Sequence, residues 1–451
     1  MATQQRVREQ TCEVAVIGAG ISGLMAATTL SPTAEVLVLE AADRAGGRVE
    51  TVRQGDYWIN VGTQFTEGTG ALIDALEHHK VHCGTLAGKK VALALDGKLV
   101  DTANPISLML RSRMSLRDRI DMAVIGARII SGAVLLELGT GRAAGNRVRA
   151  ALDAKSAASV LRGVRSEIAR SMVRAWSGQW MGCEPEETAA TQFVISMGVA
   201  LADPAKVPNF SLPVGGNQTL TDILAEDLGE RLRLRSRVRS VRWTDDAVVI
   251  DYTDDTGPVR LRAKRAVVTV PADVALDILP DLPSEYRKSF GDIGYGRYVV
   301  VGYFTEEQGP QRWDDYYAVS TPELSFQAMF NHAAALRDGA ARKPGGALAC
   351  FAGGARADEL FGHTDDEIIE RFSRDLISLY PELDGRLGKP VVRRHHRVVP
   401  FWAPGKRASL PTLRNAAGPV HFAGDYQLDM PSLADAAASG EAAARAVLTS
   451  L

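Results

Sequence analysis

A chain of 451 residues exceeds what a single hydrophobic core organises, so two domains are expected. With 46% hydrophobic and 24% charged residues the chain is neither a disordered nor a membrane-embedded one. A formal net charge of -2 gives no general affinity for nucleic acid.

The first eleven residues are polar and lack the apolar core of a secretory signal. Cys12-Glu-Val-Ala-Val-Ile-Gly18 then reads as a short buried strand that breaks into Gly18-Ala-Gly20-Ile-Ser-Gly23. A helical pattern follows through Leu30, and a second strand, Val36-Leu-Val-Leu, ends at Glu40. This strand, glycine turn, helix, strand and acid form the dinucleotide-binding fingerprint. Gly18 permits the tight turn, Gly20 lets a pyrophosphate approach the backbone, and Gly23 lets the helix pack on the strand. Glu40 is placed to accept hydrogen bonds from a ribose diol. Next comes Asp43-Arg44-Ala-Gly46-Gly47-Arg48, which sets a guanidinium fork beside the same pyrophosphate. Arg48 is the expected contact, and Arg44 is either a second one or a surface residue.

Val16-Ile-Gly18-Ala-Gly20-Ile-Ser-Gly23-Leu24, followed by Leu39-Glu40-Ala-Ala-Asp43-Arg44-Ala-Gly46-Gly47-Arg48, resembles the flavin amine oxidase superfamily. That group includes monoamine and L-amino-acid oxidases, protoporphyrinogen oxidases and carotenoid desaturases. The resemblance implies FAD rather than NAD. It also implies an α/β and α+β fold, a discontinuous Rossmann-like FAD-binding domain with a mixed sheet-and-helix substrate domain. The expected FAD-binding domain comprises residues 1-75, 205-285 and 415-451. The substrate domain takes 76-204 and 286-414, with a helical subdomain near 105-200.

Further along, Tyr57 to Phe65 resembles the family segment that returns along the flavin, with Gly62 permitting close approach and Phe65 facing the substrate. Asp96-Gly97 marks a hairpin turn. From about 105 to 198 the spacing is helical, and it carries a cluster of arginines (Arg111, Arg113, Arg117, Arg119, Arg128, Arg142, Arg147 and Arg149). This cluster reads as a solvated helical face or as a docking surface for an anionic lipid or partner. The apolar run Ile120 to Leu138 contains Asp121, Arg128 and Glu137, so a buried or interfacial amphipathic helix is expected there rather than a span. Trp176 and Trp180 share a helical face, either as core or as the wall of a hydrophobic pocket.

Arg231 to Val241 alternates as a strand with its arginines in water, and the resemblance assigns the backbone of Val238 to the adenine. Amine oxidases commonly carry lysine where Arg297 aligns, close to flavin N5, and arginine is no equivalent there. Segments 325–332 and 347–353 read as neighbouring strands of the substrate domain, which makes Phe330 a pocket candidate. Trp402 resembles the family's tryptophan-and-proline segment near the active site and is a further candidate. At the end, Val420-His-Phe-Ala-Gly424-Asp425 is a strand closing on an acid, and Pro431-Ser432-Leu433 opens an alanine-rich helix. By resemblance Gly424, Asp425, Ser432 and Leu433 contact the flavin, with the positive helix end toward N1 and O2.

Cys12, Cys83, Cys183 and Cys350 form no CxxC pair, and the histidine pairs His78-His79 and His395-His396 have no ligand partners at useful spacing. No metal is expected, and a cytoplasmic location is, with peripheral membrane contact as an addition. No cysteine or histidine motif predicts a covalent flavin link. The expected activity is dehydrogenation of a hydrophobic small molecule by hydride transfer to flavin N5, with oxygen or another acceptor taking the electrons. Amine oxidases often cage the substrate with aromatic side chains late in the chain, where this sequence has Leu428-Asp429-Met430, and the missing lysine and aromatic pair favour a desaturase- or protoporphyrinogen-oxidase-like role. The alternatives are an amine or L-amino-acid oxidase, a flavin-dependent isomerase, and a non-enzymatic flavin-binding protein.

Overall fold

The computed structural model describes residues 7–64, 66, 71–86, 89–95, 97–101, 114–141, 143–202, 211–337, 342–428 and 431–451. Two seven-stranded sheets organise it. The first sheet is drawn from three separate stretches of the chain. Its strands run in the order Arg237–Trp243, Val248–Asp254, Gly257–Val268, Arg8–Ile17, Val36–Leu39 and Leu232–Arg233, with Val420–Phe422 added alongside Gly257–Val268.

The long strand Gly257–Val268 changes partners along its length. Its first half pairs antiparallel with Val248–Asp254, while Ala266 to Val268 pair in parallel with Val420–Phe422. Its other edge runs parallel to Arg8–Ile17, with Val268 opposite Ile17.

Alternation decides which core each residue of the first strand enters. Val14 and Val16 point to one face, against Leu24, Leu30, Ala437 and Ala444 of helices Ile21–Leu30 and Leu433–Leu448. Ala15 and Ile17 point to the other, with Val268, Phe290 and Phe422. A strand covered on both faces must be apolar at every position, which is why the run Val14 to Ile17 has no polar alternation.

The second sheet has the order Val391–His395, Tyr298–Thr305, Gly346–Gly353, Ala328–Asn331, Tyr316–Ser320, Lys90–Leu95 and Lys98–Asp101. In Tyr298–Thr305, Val299, Val301 and Tyr303 enter a core with Ile368, Phe372 and Leu376 of helix Asp365–Leu379. Tyr298, Val300 and Phe304 turn to the opposite face with Phe330 and Phe351.

Four helices, Leu116–Leu138, Ala143–Asp153, Glu167–Met181 and Ala190–Ala202, form a cap beside this sheet. Ser115 and Asp118 close a capping box at the start of the longest of them. Among the described residues, no helix is long and apolar enough to cross a membrane. No group of three or more His, Cys, Asp or Glu side chains there is placed to hold a metal ion.

Candidate functional site

The glycine turn after the first strand is built for close packing on one side and open space on the other. Gly18 has φ 101°, and Thr269 donates from Oγ1 to the carbonyls of Ile17 and Gly18, both at 3.0 Å, which pins the turn. A Cβ on Gly23 would overlap the Gly18 carbonyl oxygen. A Cβ on Gly20 would meet nothing within 4 Å. Helix Ile21–Leu30 starts there with no side-chain cap and no acid in its first turn. Its amide end is therefore open to an anion.

Glu40 stands at the neighbouring strand end, accepting from the N–H of Ala19 at 2.7 Å and of Ala42 at 2.8 Å. The chain leading to Val238 is tied to the same place. Ser236 N donates to Glu40 O at 2.7 Å and Arg235 N to Ala42 O at 2.8 Å. Val238 follows on the terminal strand of the sheet.

The second glycine turn abuts the first, with Gly46 N donating to Ala19 O at 2.8 Å and a Cβ on Gly47 falling 3.5 Å from Gly20 Cα. Arg44 holds this turn from behind, donating to the carbonyls of Ala45, Gly47 and Val49. It is a brace of the loop and not part of the cavity wall. Arg48 points inward. Its two terminal nitrogens pair with both oxygens of Asp425, at 2.7 and 2.8 Å, and one of them also donates to Val398 O.

One cavity joins these parts. Gly20, Gly46, Arg48 and Gly62 line it on one side, and Gly424, Asp425, Ser432 and Leu433 close it at the start of the C-terminal helix. Ser432 caps that helix by accepting from Asp435 N at 3.1 Å. The second sheet and the helical cap supply the far wall through Tyr298, Phe330, Phe351 and Trp180. Arg48 and Asp425 offset each other, and among the described residues no lysine lines the cavity.

Several expectations need correction. Gly62 lines the cavity, but its lack of a side chain is required by the Arg48 carbonyl oxygen, which a Cβ would overlap. Arg297 does not reach the cavity. Its guanidinium pairs with Glu187 at 3.0 and 3.2 Å and with Asp358 at 2.9 and 2.8 Å. The next residue, Tyr298, begins the strand and takes the inward direction, leaving Arg297 to point away. Trp402 is 1% exposed in a short ladder opposite Ile293 and stays outside the lining. Trp176 packs on the helical cap's core, while Trp180, one turn on, faces the cavity. Phe65 lies outside the described residues.

Other wall residues were not singled out from the sequence. Tyr298 donates to Gln179 O at 2.7 Å, and burial pushes its phenol well above the usual range. His395 sits 2.8 Å from Val61 O, to which Nε2–H donates, and burial lowers its pKa, keeping the ring neutral. Alternation from Tyr298 to Phe304 was the one signal that could have named the tyrosine. His395 opens the segment whose resemblance pointed to Trp402, but the carbonyl that it bonds is over three hundred residues away.

The flavin containing amine oxidoreductase family pattern matches residues 153–448, and an NAD(P)-binding Rossmann-like domain pattern matches 16–78. The chain belongs to the flavin-containing amine oxidoreductase family. Its cofactor is FAD, and the open face of Gly20 beside an uncapped helix start fits the pyrophosphate of that group. Among curated proteins it is 26% identical over 283 residues to a probable flavin-containing monoamine oxidase A of Dictyostelium discoideum. That match covers 60% of each protein, so the chain spans about three fifths of the relative's length. Among solved structures, a putrescine oxidase with bound putrescine superposes with TM-score 0.79 at 19% identity, over 98% of this chain and 100% of the other. The cyclohexylamine oxidase of Brevibacterium oxydans gives 0.79 at 22%, over 97% and 99%. These two likenesses show the fold. The relatives favour the amine-oxidase alternative over the desaturase- or protoporphyrinogen-oxidase-like role expected from the sequence.

Proposed function

We propose that the protein is an FAD-dependent oxidase that dehydrogenates a small amine of hydrophobic character, with molecular oxygen as the electron acceptor. The supporting observation is a cavity that runs from the open glycine cradle to an aromatic wall and whose described lining residues carry no unbalanced charge. Such a wall takes the neutral form of an amine with an apolar body. Bound non-covalently in the cavity, FAD supplies the hydride acceptor at N5.

The chain's own residues bind and orient. Gly18, Gly20 and Gly23 shape the turn for the pyrophosphate, Arg48 and Gly47 border it, Glu40 takes the ribose diol, and the backbone of Val238 takes the adenine. Asp425 is held by Arg48 so that a ribityl hydroxyl meets a fixed acceptor. Leu433 and Ser432 present the positive end of a sixteen-residue helix, which favours negative charge on the ring it faces. Trp180, Phe330 and Phe351 exclude water from the substrate, and neutral His395 and Tyr298 are the polar groups of that wall. The residue ranges proposed for the two domains remain those given above from the sequence.

The test is anaerobic mixing of the yellow holoprotein with monoamines, polyamines, L-amino acids, reduced tetrapyrroles and polyenes, followed by oxygen. Loss of the flavin's visible absorbance with an apolar monoamine, restored by oxygen, is the expected result. Bleaching by polyenes or tetrapyrroles alone would overturn the amine reading. Bleaching by none of them would point to isomerisation or to a non-enzymatic flavoprotein.

A further inference from the structure

The long helix Leu116–Leu138 carries six of the twelve large apolar residues exposed among the described residues. They are Leu116 at 74%, Ile120 at 53%, Val124 at 37%, Val134 at 39%, Leu135 at 51% and Leu138 at 65%. The opposite face, with Met122, Ile125, Ile129 and Leu136, is already buried in the cap. A helix apolar on both faces buries both.

The outer stripe has a symmetry of its own. Leu116, Ile120, Ala123, Ala127, Ser131, Val134 and Leu138 follow one another at steps of four, three, four, four, three and four residues. The series reads the same from either end, and Ala127 is its midpoint. At about 100° per residue these positions all fall within about 40° of the direction of Ala127. Bulky side chains stand at the two ends and small ones in the middle, which lets a second helix cross closely at the centre.

We propose that this face pairs with the same face of a second copy of the chain, as an antiparallel helix pair about a twofold axis passing beside Ala127. An isologous contact requires a surface complementary to itself, and a palindromic stripe meets that requirement. Rotation about the axis sets Leu116 of one copy beside Leu138 of the other and Ile120 beside Val134. On one flank it brings Glu137 of one copy, ten residues past Ala127, near Arg119 of the other, eight residues before it, opposite charges that differ in height by about 3 Å. A lipid surface fits less well. The helix balances Arg117, Arg119 and Arg128 against Asp118, Asp121 and Glu137 and has neither lysine nor an aromatic side chain. Arg128 is moreover tied to the carbonyls of Val160 and Arg162, at 2.8 and 2.7 Å. One helix pair about 33 Å long buries less than the roughly 1,600 Å² of a standard interface, so the dimer is concentration-dependent.

The experiment is sedimentation equilibrium of the holoprotein over a wide concentration range, with disulfide trapping to fix the register. The apparent mass should climb from 48.4 kDa toward twice that value. Ile120→Glu, which sets a carboxylate against Val134 of the other copy, should stay at the monomer mass throughout, with unchanged flavin content as the check on folding. Ala127→Cys should form a covalent dimer on mild oxidation, because the axis brings that position against itself. Leu116→Cys should not, but should cross-link when mixed with Leu138→Cys. A monomer at every concentration, a dimer that survives Ile120→Glu, or Leu116→Cys trapping more efficiently than Ala127→Cys would overturn the proposal. So would a monomer that pellets with phosphatidylserine vesicles through this helix, which would assign the face to a lipid.

Discussion

Replacing Gly20 with valine sets its Cβ in open space beside the first helix, with no protein atom within 4 Å, so the fold should survive. FAD should not bind, and the purified variant should be folded by circular dichroism and colourless. The same substitution at Gly23 would overlap the Gly18 carbonyl and break the turn itself, so it does not separate binding from folding. Asp425→Asn keeps the shape of the side chain but loses one of the two charge-assisted bonds to Arg48. With hydrogen bonds to charged groups contributing about 1.5–3 kcal/mol, FAD retention should weaken by about tenfold or more in equilibrium dialysis. The structural demands on Gly18 and Gly23 were legible, because a φ of 101° at the first and an overlap of any Cβ with the Gly18 carbonyl at the second favour glycine. The Arg48–Asp425 pair was not legible as a pair, since each was read against the cofactor and the contact spans most of the chain.

Elements show where register overrides resemblance. Arg297 and Tyr298 are adjacent, and a strand sends one to each side, so an alignment one residue out exchanges a cavity residue for a surface clamp. Arg297 joins the loop carrying Glu187 to the short helix that holds Asp358. Arg297→Ala should therefore lower stability by about 1–2 kcal/mol in urea unfolding and leave the flavin spectrum unchanged. His332, at the end of the strand Ala328–Asn331, is fully buried with neither ring nitrogen hydrogen-bonded, and burial lowers its pKa to about 3. The folded state leaves this ring neutral where the unfolded chain protonates it. Its contribution to stability is thus complete above the unfolded pKa near 6.5. It is lost at about 1.4 kcal/mol per pH unit as the pH falls from there toward 3. His332→Leu should flatten the decline in urea midpoint between pH 7 and pH 5, and an unchanged slope would remove this histidine from the acid sensitivity.

On the scale of the whole molecule, the cavity lies between the loops that leave the strands of the first sheet and a wall made by the second sheet and the helical cap, so FAD bound there would add contacts to both parts. Stripping FAD should lower the melting temperature, and saturating FAD at about 1,000 times its dissociation constant should restore about 4 kcal/mol. The sequence by itself determined the nucleotide-binding strand–turn–helix, the acid at Glu40, the diglycine and Arg48, and the closing strand with its helix. Each of these is a local pattern whose period or backbone geometry is written into adjacent residues. It also determined the family resemblance, and with it FAD. Only the tertiary structure decided that Tyr298 and His395 stand in the wall, that Arg297, Trp402 and Trp176 do not, and that Arg44 braces a loop. Those placements depend on strand register and on contacts between residues hundreds of positions apart, where neighbouring sequence carries no signal.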